Sequence, residues 1–125
     1  MADELFDVLI ALEHRGWQSL CDGTGGDFCR DVLAEDVLLE LGDGVIMDRV
    51  ALTQTLGATQ ARMPPWTGYQ IAGAHLLSVG AKAAAVEYIG TGYPGGGDPA
   101  FVATVCSVYR RTGRDWKLVL CRHTG

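Results

Sequence analysis

Apolar residues in the first twenty positions recur at steps of three and four. Leu5, Val8, Leu12, Gly16 and Leu20 form one stripe, widened by Leu9 and Trp17. That period predicts an amphipathic helix with one buried face. The segment Asp22-Gly-Thr-Gly-Gly predicts its end, because glycine takes the left-handed conformation of a helix C-terminus at little cost. Asp27 is expected to cap a short second helix, with Phe28 and Val32 four apart on its inner side.

Residues 37–41 are an apolar run of β character, closed by Gly42-Asp43-Gly44 and followed by Val45-Ile46-Met47, which predicts a tight strand–turn–strand. Asp48 is placed to cap a third helix, with Leu52 and Leu56 on one face and Gly57 at its end. Met63-Pro64-Pro65 reads as a loop. Beyond it, the pattern predicts four strands, at about 69–79, 82–91, 101–111 and 116–124. Gly80-Ala81 and Thr112-Gly113-Arg114-Asp115 are short enough for hairpins, and Pro94-Gly95-Gly96-Gly97-Asp98-Pro99 is a longer loop. Strands that follow one another in meander order predict antiparallel pairing and an α+β class.

The 125 residues fit one domain, 1–125, and an apolar share of 48% supplies ample core material. With ten basic against fifteen acidic residues and no basic cluster beyond Arg110-Arg111, the charge excludes nucleic acid and anionic membrane as expected partners. No run approaches the roughly 20 apolar residues of a membrane span. The start, Met-Ala-Asp-Glu-Leu-Phe-Asp, carries acids where a secretory signal carries bases, so a soluble, cytoplasmic protein is expected. Cys21, Cys29, Cys106 and Cys121 form no metal-binding spacing. Cys106 and Cys121 lie in apolar runs and read as free core thiols; no metal or cofactor is expected.

Leu12-Glu-His-Arg-Gly-Trp17, Leu33-Ala-Glu-Asp-Val37, Gly44-Val-Ile-Met-Asp-Arg49, Val108-Tyr-Arg-Arg-Thr-Gly113 and Trp116-Lys-Leu-Val119 span the chain. In this order they resemble the NTF2-like superfamily, and within it the SnoaL-like, DUF4440-type branch, especially its actinobacterial members. The resemblance implies an α+β cone, a cystatin-like α+β barrel in which a curved antiparallel sheet wraps the helices around a pocket. It fixes no reaction, because the fold hosts isomerases, cyclases and dehydratases as well as non-catalytic binders.

The best-understood chemistry on this fold, ketosteroid isomerization, uses a carboxylate base with a tyrosine and a protonated aspartic acid to hold the oxygen. By the resemblance, the base position falls on Leu41, the tyrosine on Gly16 and the aspartic acid on Ser107. Leu41 cannot accept a proton. Glu40 and Asp43 are the neighbouring acids, but alternation turns Glu40 away from Leu39 and Leu41, and Asp43 suits a turn between glycines.

Among the histidines, His14 reads as a polar-face residue beside Glu13 and Arg15, and His75 as an outer-face or dimer-interface residue. His123 shares a strand facing with Val119 and Cys121, the side that by resemblance lines the pocket. It is the best candidate for acid–base work. Trp17 and Tyr88 suit the wall of a pocket for a flat molecule, Tyr109 shares a face with Ser107, and Trp66 is expected to cover the mouth or meet a partner chain. Ser19, Ser78 and Ser107 lack a nucleophile-elbow context. Gly95-Gly96-Gly97 is not followed by a helix that would bind phosphate, and Arg49 and Arg110-Arg111 read as surface.

Three functions follow. The first is a binder of a small apolar or aromatic molecule, in a pocket walled by Trp17, Leu41, Tyr88, Ser107, Tyr109 and His123. The second is an isomerase, cyclase or dehydratase acting by proton transfer on a polyketide-like or aromatic substrate, with His123 as base and Tyr88 or Tyr109 and Ser107 orienting the oxygen. The third is an interaction module whose outer sheet face, carrying His75, Glu87 and Ile89, makes a homodimer.

Overall fold

A computed structural model of the chain describes residues 2–42, 44–62 and 65–125, so Asp43 and the Met63-Pro64 part of the expected loop lie outside the described residues. The described elements are, in order, α1 (Ala2–Asp22), α2 (Gly25–Val32), β1 (Leu33–Glu40), β2 (Ile46–Met47), α3 (Arg49–Arg62), β3 (Gly68–Gly80), β4 (Ala83–Tyr93), β5 (Phe101–Thr112) and β6 (Asp115–Thr124). They form an α+β architecture. Three helices pack on one curved, unclosed six-stranded sheet of order β2-β1-β6-β5-β4-β3.

The four long strands pair antiparallel in meander order, as expected. The sheet as a whole is mixed, because β1 runs parallel to β6. β1 leaves α2 directly and must run alongside the last strand to cover the helices.

Helix α1 buries a narrower stripe than its periodicity suggested. Leu9, Glu13 and Trp17, at four-residue steps, are 0, 6 and 7% exposed, whereas Val8 is 47% exposed and lies outside the face. Helix α1 ends at Gly23, in the left-handed conformation at φ +78°, with its N–H bonded to the Ser19 carbonyl. Asp27 does not cap α2. The helix begins two residues earlier, leaving Asp27 in its first turn, bonded to Arg30 at 2.8 Å. Asp48 does cap α3, its Oδ1 accepting from the Ala51 N–H at 2.8 Å. That helix runs through Gly57 rather than ending there.

Two irregularities shape the sheet. Gly73, at φ +66°, sits in a break of register between β3 and β4. On β6, Leu118 pairs with Tyr109 and Leu120 with Val108, so Val119 is an extra residue, a β-bulge. The strand's alternation slips there by one. Leu118, not Val119, is therefore buried on the same side as Cys121. The four cysteines are free thiols. Among the described residues, no helix is long and apolar enough to cross a membrane.

Candidate functional site

Glycines on β4 decide where the large rings go. A methyl group built on Gly92 would lie 1.9 Å from Cζ3 of Trp66 and 3.0 Å from Cζ3 of Trp17; one on Gly90 would lie 2.6 Å from Cζ2 of Trp17. Bare backbone at both positions lets the two indoles lie directly on the sheet. Around Trp17 stand Trp66, Tyr69, Phe101 and His123, with ring centroids 6.2, 6.2, 6.4 and 6.1 Å away. Gly16 serves α1 in the same way, because its missing side chain admits the Phe28 ring of α2.

These rings fill much of the space inside the cone. What remains is a cavity of about 130 Å³ between α1, α2, α3 and the strands. Leu39 and Leu41 of β1, Leu52 and Leu56 of α3, Phe28, Leu20 and Leu118 form its apolar walls. Trp17, Glu13, Ser19, Tyr88, Cys121 and His123 supply the polar atoms. An apolar cavity of roughly 150 Å³ takes up benzene, so this one has the size of a single ring.

The polar end is organised by Glu13. Its Oε1 accepts from the Tyr88 hydroxyl at 2.6 Å and from the Ser107 hydroxyl at 2.8 Å, and its Oε2 accepts from the Tyr109 hydroxyl. Trp17 Nε1–H in turn donates to the Tyr88 oxygen at 2.8 Å. Helix α1 is thus bonded to β4 and β5 through one buried carboxyl. Burial pushes that carboxyl above its ordinary 4.5, while the three hydroxyl donors act in the opposite direction without cancelling the effect. Burial raises the Tyr88 and Tyr109 phenols as well and takes the Cys121 thiol up to about 12, so all three stay protonated at neutral pH.

His123 stacks on the Trp17 indole. The two rings are parallel within 5°, and the imidazole Nδ1 is buried with no hydrogen-bond partner. Burial lowers its pKa below the ordinary 6.5, so the ring is neutral at pH 7.

Trp17, Leu41, Tyr88 and His123, expected at a pocket, border this one cavity. Ser107 and Tyr109 do not border it; both are fully buried behind Glu13 with their hydroxyl protons donated to it. Glu40 faces away, as alternation predicted, accepting from the Gly42 and Gly44 N–H groups and pairing with Arg122 at 3.2 Å. His14 is exposed on the polar side of α1, as expected, and bonds to the Tyr69 hydroxyl at 2.8 Å rather than to Glu13 or Arg15. His75 is exposed, 3.7 Å from Glu87. Trp66 packs against Trp17 and Phe101 beside the cavity. Arg110 is bound to Asp36 by two hydrogen bonds of 2.8 and 3.1 Å. Among the described residues, no three metal-ligating side chains gather into a site.

Glu13 was overlooked by the sequence reading, although its signal was present. It lies four residues after Leu9 and four before Trp17, in the middle of the buried face.

No protein-family model matches the chain, and no curated protein matches it by sequence. Solved structures do match by fold. A protein of Streptomyces avermitilis provisionally named a dehydratase of the NTF2-like family superposes with a TM-score of 0.84 at 15% identity, over 99% of this chain and 97% of that one. An NTF2-like protein of unknown function from Pseudomonas putida gives 0.81 at 16%, over 99% and 88%. A protein of Parabacteroides distasonis provisionally named a ketosteroid isomerase gives 0.71 at 18%, over 93% and 83%. At such identities the likeness establishes the architecture and carries no activity with it.

Proposed function

We propose that this chain, whose fold is NTF2-like, is a small-molecule-binding protein of the SnoaL-like branch, and that its cavity holds a compact apolar or aromatic molecule without turning it over. The local wording of the five segments quoted above supports the branch. The observation that carries the binding reading is the cavity itself: about 130 Å³ left open in a core otherwise closed by aromatic rings, with apolar walls and one polar end. The absence of turnover rests on the donors. An oxyanion needs free hydrogen-bond donors aimed at it, and the hydroxyls of Tyr88, Tyr109 and Ser107 are all donated to Glu13. Leu41 occupies the position where the resemblance puts a base.

Proton-transfer chemistry is the second reading, and one observation favours it: a carboxyl raised by burial and an imidazole lowered by burial border the same cavity. Its substrate would be a single ring, since a multi-ring, polyketide-like molecule needs several hundred Å³.

Two further proposals concern the whole protein. On the outer face of the sheet, the cross-strand partners Leu38, Leu120, Val108, Ala85 and Leu77 form one apolar row over five strands. This row supports a homodimer through that face. Four free thiols support a reducing, cytoplasmic location.

Native mass spectrometry of the protein as purified, followed by denaturation and small-molecule analysis, tests the binding reading. A stoichiometric guest of about one ring is the expected result. An empty protein whose melting temperature no single-ring compound raises overturns the proposal.

A further inference from the structure

Beside the apolar row on the outer face of the sheet runs a second row of a different kind. Two residues away on each strand, Glu40, Arg122, Cys106, Glu87 and His75 are cross-strand partners from β1, β6, β5, β4 and β3. Arg122 pairs with Glu40 at 3.2 Å, and His75 lies 3.7 Å from Glu87. Arg122, Glu87 and His75 are exposed, and Cys106 is partly buried. From β1 to β3 the row therefore runs acid, base, thiol, acid, base. Laid against its own reverse, it sets a base on every acid and the central Cys106 on itself.

Resting on the homodimer reading above, we infer that the occupant of this face is a second copy of the chain, related by a two-fold axis that lies between the two sheets and runs along β5. Such an axis keeps each row over itself and reverses its direction. Glu40 then faces the partner's His75, Arg122 faces the partner's Glu87, and Cys106 faces the partner's Cys106. In the apolar row, Leu38 faces the partner's Leu77, Leu120 faces the partner's Ala85, and Val108 faces the partner's Val108. An axis across the strands would keep the order of each row instead. Set on the charged row, it lays Arg122 on the partner's Arg122 and Glu87 on the partner's Glu87; set between the rows, it lays leucines on charges. Like charges in contact and charges desolvated against apolar groups are both penalised. The apolar row supplies surface to remove from water, and the charged row fixes direction and register. Stacked sheets lie about 10 Å apart, so two Cys106 side chains on the axis meet within that gap.

The test uses the full chain. A short bis-maleimide, which adds one thiol to each ring, should join two copies through Cys106 into a dimer that survives denaturation, and Cys106→Ser should abolish this product. Sedimentation equilibrium of charge variants is the second measurement. Arg122→Glu places two carboxylates opposite each other twice by symmetry and should weaken the dimer at least about tenfold. Adding Glu87→Arg to it reverses both signs and should restore most of the affinity, although the intrachain pairs with Glu40 and His75 stay broken. A dimer with no Cys106 cross-link, or one that Arg122→Glu leaves as tight as before, overturns the inference and leaves the homodimer reading standing. A monomeric parent overturns both. Cross-linking of the unaltered protein decides the matter even if the charge variants do not fold.

Discussion

Trp17 and His123 lie face to face, with ring centroids 6.1 Å apart and planes within 5°. The two residues come from the opposite ends of the chain, α1 and β6. Both rings border the cavity, and the Nε1–H of the same indole holds the Tyr88 hydroxyl against Glu13. One aromatic side chain thus links the group with a depressed pKa to the group with a raised one.

The two groups should give stability opposite dependences on pH. Glu13 binds its proton more tightly in the folded chain, so its contribution is fully present below about pH 4.5 and is lost as pH rises through the raised folded value. His123 binds its proton less tightly when folded, so its contribution is present above pH 6.5 and is lost as pH falls from there toward the lowered folded value. Urea denaturation between pH 4.5 and 7 should therefore separate them. Glu13→Gln should lose stability on acidification below 6.5, and His123→Phe should lose it as pH rises above 4.5. Parallel curves for the two variants would contradict this assignment.

Removing the Glu13 carboxyl should cost far more than an average substitution. Glu13→Ala strands the hydroxyls of Tyr88, Tyr109 and Ser107 without an acceptor, and each buried hydroxyl left unsatisfied costs roughly 1–3 kcal/mol. Tyr109→Phe deletes one donor only and should cost about 1.5–3 kcal/mol. It should also raise the Glu13 pKa further, since the Tyr109 hydrogen bond is the largest influence lowering it. Equilibrium urea curves and a carboxyl-specific NMR titration check both values.

Gly90→Ala and Gly92→Ala should each expel an indole from the sheet. The added methyl group would sit 2.6 Å from Trp17 in the first case and 1.9 Å from Trp66 in the second. Overpacking of this kind costs about 1–3 kcal/mol. Gly90→Ala should be the worse, because Trp17 is 7% exposed and bonded to Tyr88, whereas Trp66 is only partly buried. A red-shifted tryptophan emission should accompany each loss of stability.

A homodimer through the outer face should dissociate when its apolar row is charged. Leu120, 42% exposed, is flanked in the row by Leu38 and Val108. Leu120→Glu should halve the mass measured by light scattering after size-exclusion chromatography and leave the fold and cavity intact. A monomeric parent protein would end that proposal.

The order of elements and the meander of β3 to β6 were legible because period-two alternation and turn residues are local signals. The edges of α2 and α3 were not, because Asp27 suits a helix's first turn as well as its cap and a glycine inside a helix costs only about 1 kcal/mol, too little to end it. At the site, Trp17 and Tyr88 followed from helix and strand facing, Leu41 from the resemblance, and His123 from the resemblance and its shared facing with Cys121, although not with Val119. The destination of the Tyr109 and Ser107 hydroxyls could not be read in this way, because a carboxyl 94 residues before Ser107 had to be recognised as buried. A charge in a helical stripe reads as solvated surface until the fold supplies its donors.

The bulge at Val119 decides which side chain the hollow receives. Facing in a strand has a period of two, and Leu118 and His123 stand five residues apart, so only the extra residue at the bulge turns both inward; the same sequence in regular alternation from Leu118 would turn Arg122 inward instead. A strand that lost the bulge, with every side chain kept, would put a fixed cation where a neutral imidazole now lies against Trp17.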